Sequence, residues 1–142
     1  MINIPPYIIA LSQYGVAARP GTVLNNPVII AYFHTLGFSS LNTDETGWCT
    51  ALVSWCLYIS VNTYSNSLMA RSYLNLFKEV SYPVLGDLCI FWRIKKDSIY
   101  GHIGFFISST SKSIYVLGGN QSNKVCISLY SKVKLLGFRR IQ

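Results

Sequence analysis

Residues 44–60 read DETGWCTALVSWCLYIS. The first four are polar or turn-forming, and from Trp48 onward the chain is apolar on nearly every side. A helix that is apolar all round belongs at the centre of a domain, so this stretch is read as the buried central helix. It carries two cysteines in different places. Cys56 lies inside the apolar run, where a buried thiol is the ordinary expectation. Cys49 lies where the loop becomes the helix. A sulfur on the first helical turn faces amide groups that no helical carbonyl satisfies, and the dipole there favours negative charge. That placement favours a thiolate.

Outward toward the N-terminus, PPYIIALSQYGV reads as a short helix opening on prolines and ending near Gly15. ARPGTVLNN is a loop. NPVIIAYFHTLGF reads as a second helix, with Asn26 as cap, Pro27 in the first position and Gly37 as stop. On the other side of the central helix, SLMARSYLNLFKEV reads as a fourth helix. After Pro83 the pattern changes to short apolar runs bounded by Gly, Ser, Asn or Lys: GDLCIFWR, GHIGFFIS, SIYVLGG, KVCISLY and KLLGFRRI. These predict five strands of an antiparallel meander. Helices followed by strands imply an α+β domain with the helices packed on one face of the sheet.

The totals agree with a single dense domain spanning 1–142. The chain is 51% hydrophobic and 12% charged, which excludes a disordered chain. Its net charge of +7 suits anionic partners without choosing among them. The four cysteines form no CxxC pair, so a structural zinc site is not expected. Lys and Tyr are scattered without the aromatic-basic signature of an RNA-binding sheet, and no nucleic-acid partner is expected. The start MINIPPYIIALSQYG has no basic segment before its short apolar part, so no classical export leader is expected.

Cys49 needs partners before its position means chemistry. In YGHIGFFIS, strand alternation puts His102, Gly104 and Phe106 on one face, with Gly104 leaving room beside the imidazole. Asn120, in YVLGGNQ at the end of the next expected strand, falls near His102 in a hairpin of suitable register. A cysteine attacks an amide as the thiolate, a histidine takes and returns the proton, and a third group holds the imidazole in one tautomer. Cys, His, Asn is the chain order of papain-like thiol hydrolases. Each residue also has a plainer reading: Cys49 as a small buried hydrophobe, His102 as a satisfied core histidine, GGNQ as a turn. His34, near the end of the second helix, is read as structural. Asp87 is read as holding the turn into the first strand, Lys95 to Asp97 as a solvated hairpin tip, and Arg139 and Arg140 as facing water.

Taken together, DETGWCTALVSWC, LGDLCIFWR, GHIGFFI and VLGGNQSNKVCISLY…LGFRR resemble, in order and spacing, the cysteine, histidine-dependent amidohydrolase/peptidase (CHAP) domains of the wider NlpC-type class, and within them a small single-domain branch. GVAARPGTVLNNPVIIAYF is also similar to that branch. The resemblance implies a papain-like fold and a peptidoglycan hydrolase cleaving an amide bond, with Cys49 as nucleophile, His102 as base and Asn120 as orienter. Asp44, Glu45, Trp48 and Gln121 would be supporting or substrate-binding residues, and the Cys49 amide an oxyanion donor. No metal or organic cofactor is implied. Two departures stand out. The branch often carries a glutamate where this chain has Ala18 and Arg19, and many CHAP domains carry one where it has Gly118, leaving the histidine to Asn120 alone.

The partner expected is peptidoglycan, met in the periplasm or at the wall by a monomeric lytic enzyme or injected antibacterial toxin. An immunity protein and a delivery apparatus would accompany the toxin case. Two alternatives stay open: a cysteine protease effector acting on a non-wall protein, and a wall-binding module without catalysis.

Overall fold

The computed structural model describes residues 3–19, 24–44, 47–60 and 62–141. Three helices come first: α1 (Pro6–Ser12), α2 (Pro27–Thr35) and α3 (Cys49–Ile59). Both α1 and α2 begin at proline, whose fixed φ suits a first turn, and the Asn26 side chain accepts the Val28 amide as a cap. A 3-10 helix (Ala70–Asn75) leads into the strands β1 (Lys78–Val80), β2 (Leu88–Trp92), β3 (Gly101–Ser109), β4 (Ser113–Gln121), β5 (Lys124–Ser131) and β6 (Leu135–Arg140). Among the described residues no helix is long and apolar enough to cross a membrane.

The six strands form one antiparallel sheet in the order β1-β6-β2-β3-β4-β5. The α+β architecture is as expected, with two differences. The expected fourth helix is reduced to the 3-10 turn, and its last residues, Lys78–Val80, pair with Phe138–Arg140 as an edge strand. Tertiary pairing there overrides the local helical pattern. The last strand also does not extend a meander: β6 returns to lie beside β2.

The main core lies between the helices and one sheet face. Trp48, Leu52 and Leu57 of α3 and its entry are fully buried there with Ile103, Phe105 and Leu117. A second cluster, including Phe91, Phe106, Val116 and Phe138, occupies the opposite face. Register shifts at Ile90/Phe91, Phe106/Ser108 and Gly118/Gln121 mark irregularities of the kind that coil a sheet. Tyr130 of β5 stacks on Phe91 of β2, three places away in the sheet, with ring centroids 5.0 Å apart. A flat sheet would hold these rings ~14 Å apart at the usual strand spacing, so the coiling is what joins them.

Two expectations at the far end of β2 resolve differently. Asp87 holds the turn, accepting the Val84 amide at 2.7 Å, and it also accepts from Arg140 Nη2 at 2.8 Å and Nε at 3.0 Å. Arg139 does not face water. It is buried and donates to the carbonyls of Leu74 and Phe138, because β6 is an interior strand.

Candidate active site

Cys49 is the first residue of α3, and its thiol is almost wholly buried. Burial by itself pushes a thiol pKa up. Here hydrogen bonding and charge from His102, the Ile103 backbone amide and Thr50 outweigh burial, and the Cys49 pKa falls to about 7. The sulfur lies 3.9 Å from the Thr50 hydroxyl. All four cysteines are free and buried.

His102 lies near the start of β3, opposite Phe91 of β2, and is buried. Its Nε2 is 2.9 Å from Oε1 of Gln121. The Gln121 amide has one possible orientation, because its Nε2 donates to the carbonyls of Val116 (3.1 Å) and Cys126 (2.7 Å). Its oxygen must therefore face the imidazole, so His102 Nε2 carries the proton and donates. Nδ1 is left with a lone pair for Cys49. Tyr130 covers the imidazole in a near-parallel stack, centroids 4.7 Å apart and planes 12° apart.

The sequence assigned the anchoring bond to Asn120, and the structure gives it to Gln121. The reason is one extra residue in β4. Gly118 pairs with Cys126 and Gln121 with Lys124, so three steps on β4 match two on β5. Asn120 absorbs the excess in the left-handed region (φ 57°), which Asn tolerates better than most residues. The inserted residue shifts the alternation and brings Gln121 to the Gly118 side of the strand. The hairpin then closes at Ser122–Asn123, both with positive φ, as in a type I′ turn. Gly118 makes this possible. A Cβ there would stand 2.5 Å from Gln121 Oε1. The signal available in the sequence was Asn-Gln-Ser-Asn after two glycines, which marks a bulge as readily as a strand end.

Asn120 remains at the site in another posture. It lines a cavity of about 270 Å³ together with His102 and Tyr130. Its amide nitrogen lies 4.0 Å from where a Cβ on Gly47 would stand, beside the loop that enters α3. Trp48 is fully buried and packs on Gly119, where a Cβ would meet its ring at 2.7 Å. It seats the end of β4 against α3. Asp44 is also buried. Its Oδ2 accepts the backbone amides of Arg19 (2.9 Å) and Asn26 (2.7 Å), tying the N-terminal loop to the segment before the nucleophile. Glu45 lies outside the described residues. Gly104 does not leave open room: Val116 of β4 fills that space. His34 is remote in role, with its Nε2 3.0 Å from the Leu41 carbonyl. Among the described residues no cluster of three His, Cys, Asp or Glu is placed to hold a metal ion.

A thiol at a helix start, an imidazole on the adjoining sheet and a side-chain amide behind it define the papain-like thiol-hydrolase arrangement. The family model for the CHAP domain matches residues 41–120, more than half of the chain, and the protein belongs to the CHAP domain family. The family and its NlpC/P60 relatives are generally cysteine peptidases and amidases. A search of the curated proteins finds no match. Among solved structures the fold is similar to a Staphylococcus aureus protein described as similar to lipoprotein, of the NLP/P60 family. The TM-score is 0.53 at 17% identity, over 96% of this chain and 40% of that one. The chain thus spans well under half of that protein, and the likeness is one of fold.

Proposed function

We propose that this protein hydrolyses an amide bond in peptidoglycan, at the wall or in the periplasm. The observation that carries the reading is the pairing of Cys49 with an imidazole whose other nitrogen is anchored. His102 Nδ1 holds the thiol proton and leaves a thiolate that attacks the carbonyl carbon. The developing oxyanion meets the Cys49 amide at the helix start and the Asn120 side-chain amide. The imidazolium then gives its proton to the leaving amine, and a thioester joins the acyl fragment to Cys49. Water, deprotonated by the same imidazole, attacks the thioester and frees the acid and the thiol. Gln121 keeps the ring in the productive tautomer throughout, and the Tyr130 face steadies the imidazolium while it is charged.

Digestion of purified walls with wild type, Cys49→Ala and His102→Ala, followed by mass spectrometry of the soluble fragments, tests this. Wild type is expected to release fragments whose masses name the bond, and each variant to lose at least ~10³-fold in rate while remaining folded. No fragments from walls of several chemotypes, with Cys49 still reactive toward iodoacetamide, would move the substrate to a protein amide.

A further inference from the structure

Among the described residues, the cavity over His102 is lined by cations and no carboxylate. Besides His102 and Asn120 it is lined by Trp92, Tyr130, Arg93 and Lys134. Arg93 follows the last residue of β2, and Lys134 precedes the first of β6. Because Phe91 pairs with both His102 and Leu135, the backbone carries both cations to the catalytic end of the sheet. Lys134 is held with its ammonium 5.3 Å from the centre of the Trp92 ring, which limits where that flexible side chain can go. No carboxylate lines the cavity among the described residues. Of the described acids, Asp44 is committed to the Arg19 and Asn26 amides and Asp87 to Arg140. Glu79 lies on β1 and Asp97 in the β2–β3 loop, and neither reaches the cavity lining. Among the described residues Arg140 and Asp87 form an ion pair, and Arg93 and Lys134 meet no acidic partner.

Arg93 and Lys134 are exposed at the rim of the cavity that holds His102, and no carboxylate of the described residues offsets them there, so an anionic group of a substrate entering the cavity can pair with them. The planar guanidinium matches a carboxylate in two-point fashion, and the ammonium adds a point charge beside it. We infer that Arg93 and Lys134 form a carboxylate subsite, so that the preferred substrate carries a free carboxylate near the scissile amide. In wall chemistry that is a stem peptide whose side carboxylate is free rather than amidated. The identification of the stem peptide rests on the wall-hydrolase reading above; the carboxylate preference does not.

The first test needs no substrate. Cys49 is alkylated with iodoacetate and with iodoacetamide, similar in size and differing by one carboxylate. Three proteins are compared: wild type, Arg93→Gln/Lys134→Gln, and a control of equal net charge, Lys78→Gln/Lys112→Gln, whose lysines lie on β1 and in the β3–β4 turn. The ratio of iodoacetate to iodoacetamide rate is expected to fall about three- to tenfold in the first variant and to hold in the control. A ratio unchanged in both, or lowered equally in both, overturns the subsite. The second test offers paired muropeptides differing only in a free or amidated stem carboxylate. Wild type is expected to cleave the free form faster, with the preference lost in Arg93→Gln/Lys134→Gln. Equal cleavage of both forms by wild type overturns the subsite and leaves the wall reading standing. Cleavage of neither, with the alkylation ratio behaving as expected, leaves the subsite standing and overturns the wall reading.

Discussion

Helix α3 holds a buried cysteine near each end, and the two ends differ in everything but burial. Cys56, two turns beyond Cys49, is fully buried, and burial pushes its thiol pKa well up. Cys49 is nearly as enclosed, yet its pKa falls to about 7. Desolvation acts on both in the same direction. The difference is what the folded chain places against the sulfur: the His102 imidazole and the Ile103 amide for Cys49, and no comparable partner for Cys56. A depressed cysteine pKa is therefore a property of the junction between α3 and β3, which is why Cys49 is the candidate nucleophile and Cys56 a packing residue.

The strongest way to break the comparison is to remove the partner rather than the thiol. In wild type the alkylation rate of Cys49 should rise with pH and reach half its plateau near pH 7, because below that value the thiol is protonated. His102→Ala should move the midpoint up by at least about one unit and lower the pH 7 rate roughly tenfold or more, with Cys56 unreactive in both proteins until they unfold. A midpoint left near 7 without the imidazole would put the helix start, rather than His102, in charge of the thiolate.

A smaller effect separates the two amides at the end of β4. Gln121→Met removes the bond to His102 Nε2 and those to the Val116 and Cys126 carbonyls, which costs about 1–3 kcal/mol of stability. With the ring free to turn, activity should drop about 10–100-fold and the alkylation midpoint should rise. Asn120→Gly keeps the left-handed backbone and deletes only the amide. It should lower the hydrolysis rate with little movement of that midpoint, because Asn120 makes no bond to the imidazole among the described residues. Movement of the midpoint in Asn120→Gly alone would return the orienting role to Asn120.

That contrast also locates what was legible in the sequence. The position of Cys49 at the mouth of an apolar helix and the face assigned to His102 follow from local periodicity, and both survive in the structure. The exchange of Asn120 for Gln121 was not legible, because it depends on a one-residue bulge whose existence is decided by pairing with β5. Strand alternation propagates such an error to every residue beyond it. The same limit applies to Lys78–Val80, whose helical pattern yields to a ladder with a strand 60 residues later. Tyr130 was missed for a further reason. It reaches His102 only because the sheet coils, and coiling has no signature in the spacing of two residues on strands that are not neighbours.

The smallest effect tests the other end of the helix. Cys56→Ala removes one sulfur from a fully buried site and leaves a gap about the size of a methyl group. It should lower stability by about 1 kcal/mol, read as a fall in the urea midpoint with an unchanged m-value. Wall hydrolysis and the alkylation midpoint of Cys49 should stay as in wild type. The two sites are separated by two turns of regular helix, so a gap at Cys56 is expected to collapse locally among α3 and its packing partners. A shifted Cys49 midpoint in this variant would show that the helix moves as a rigid rod and carries the cavity strain to its N-terminus. The low pKa of Cys49 would then depend on packing along the whole of α3 as well as on the imidazole beside it.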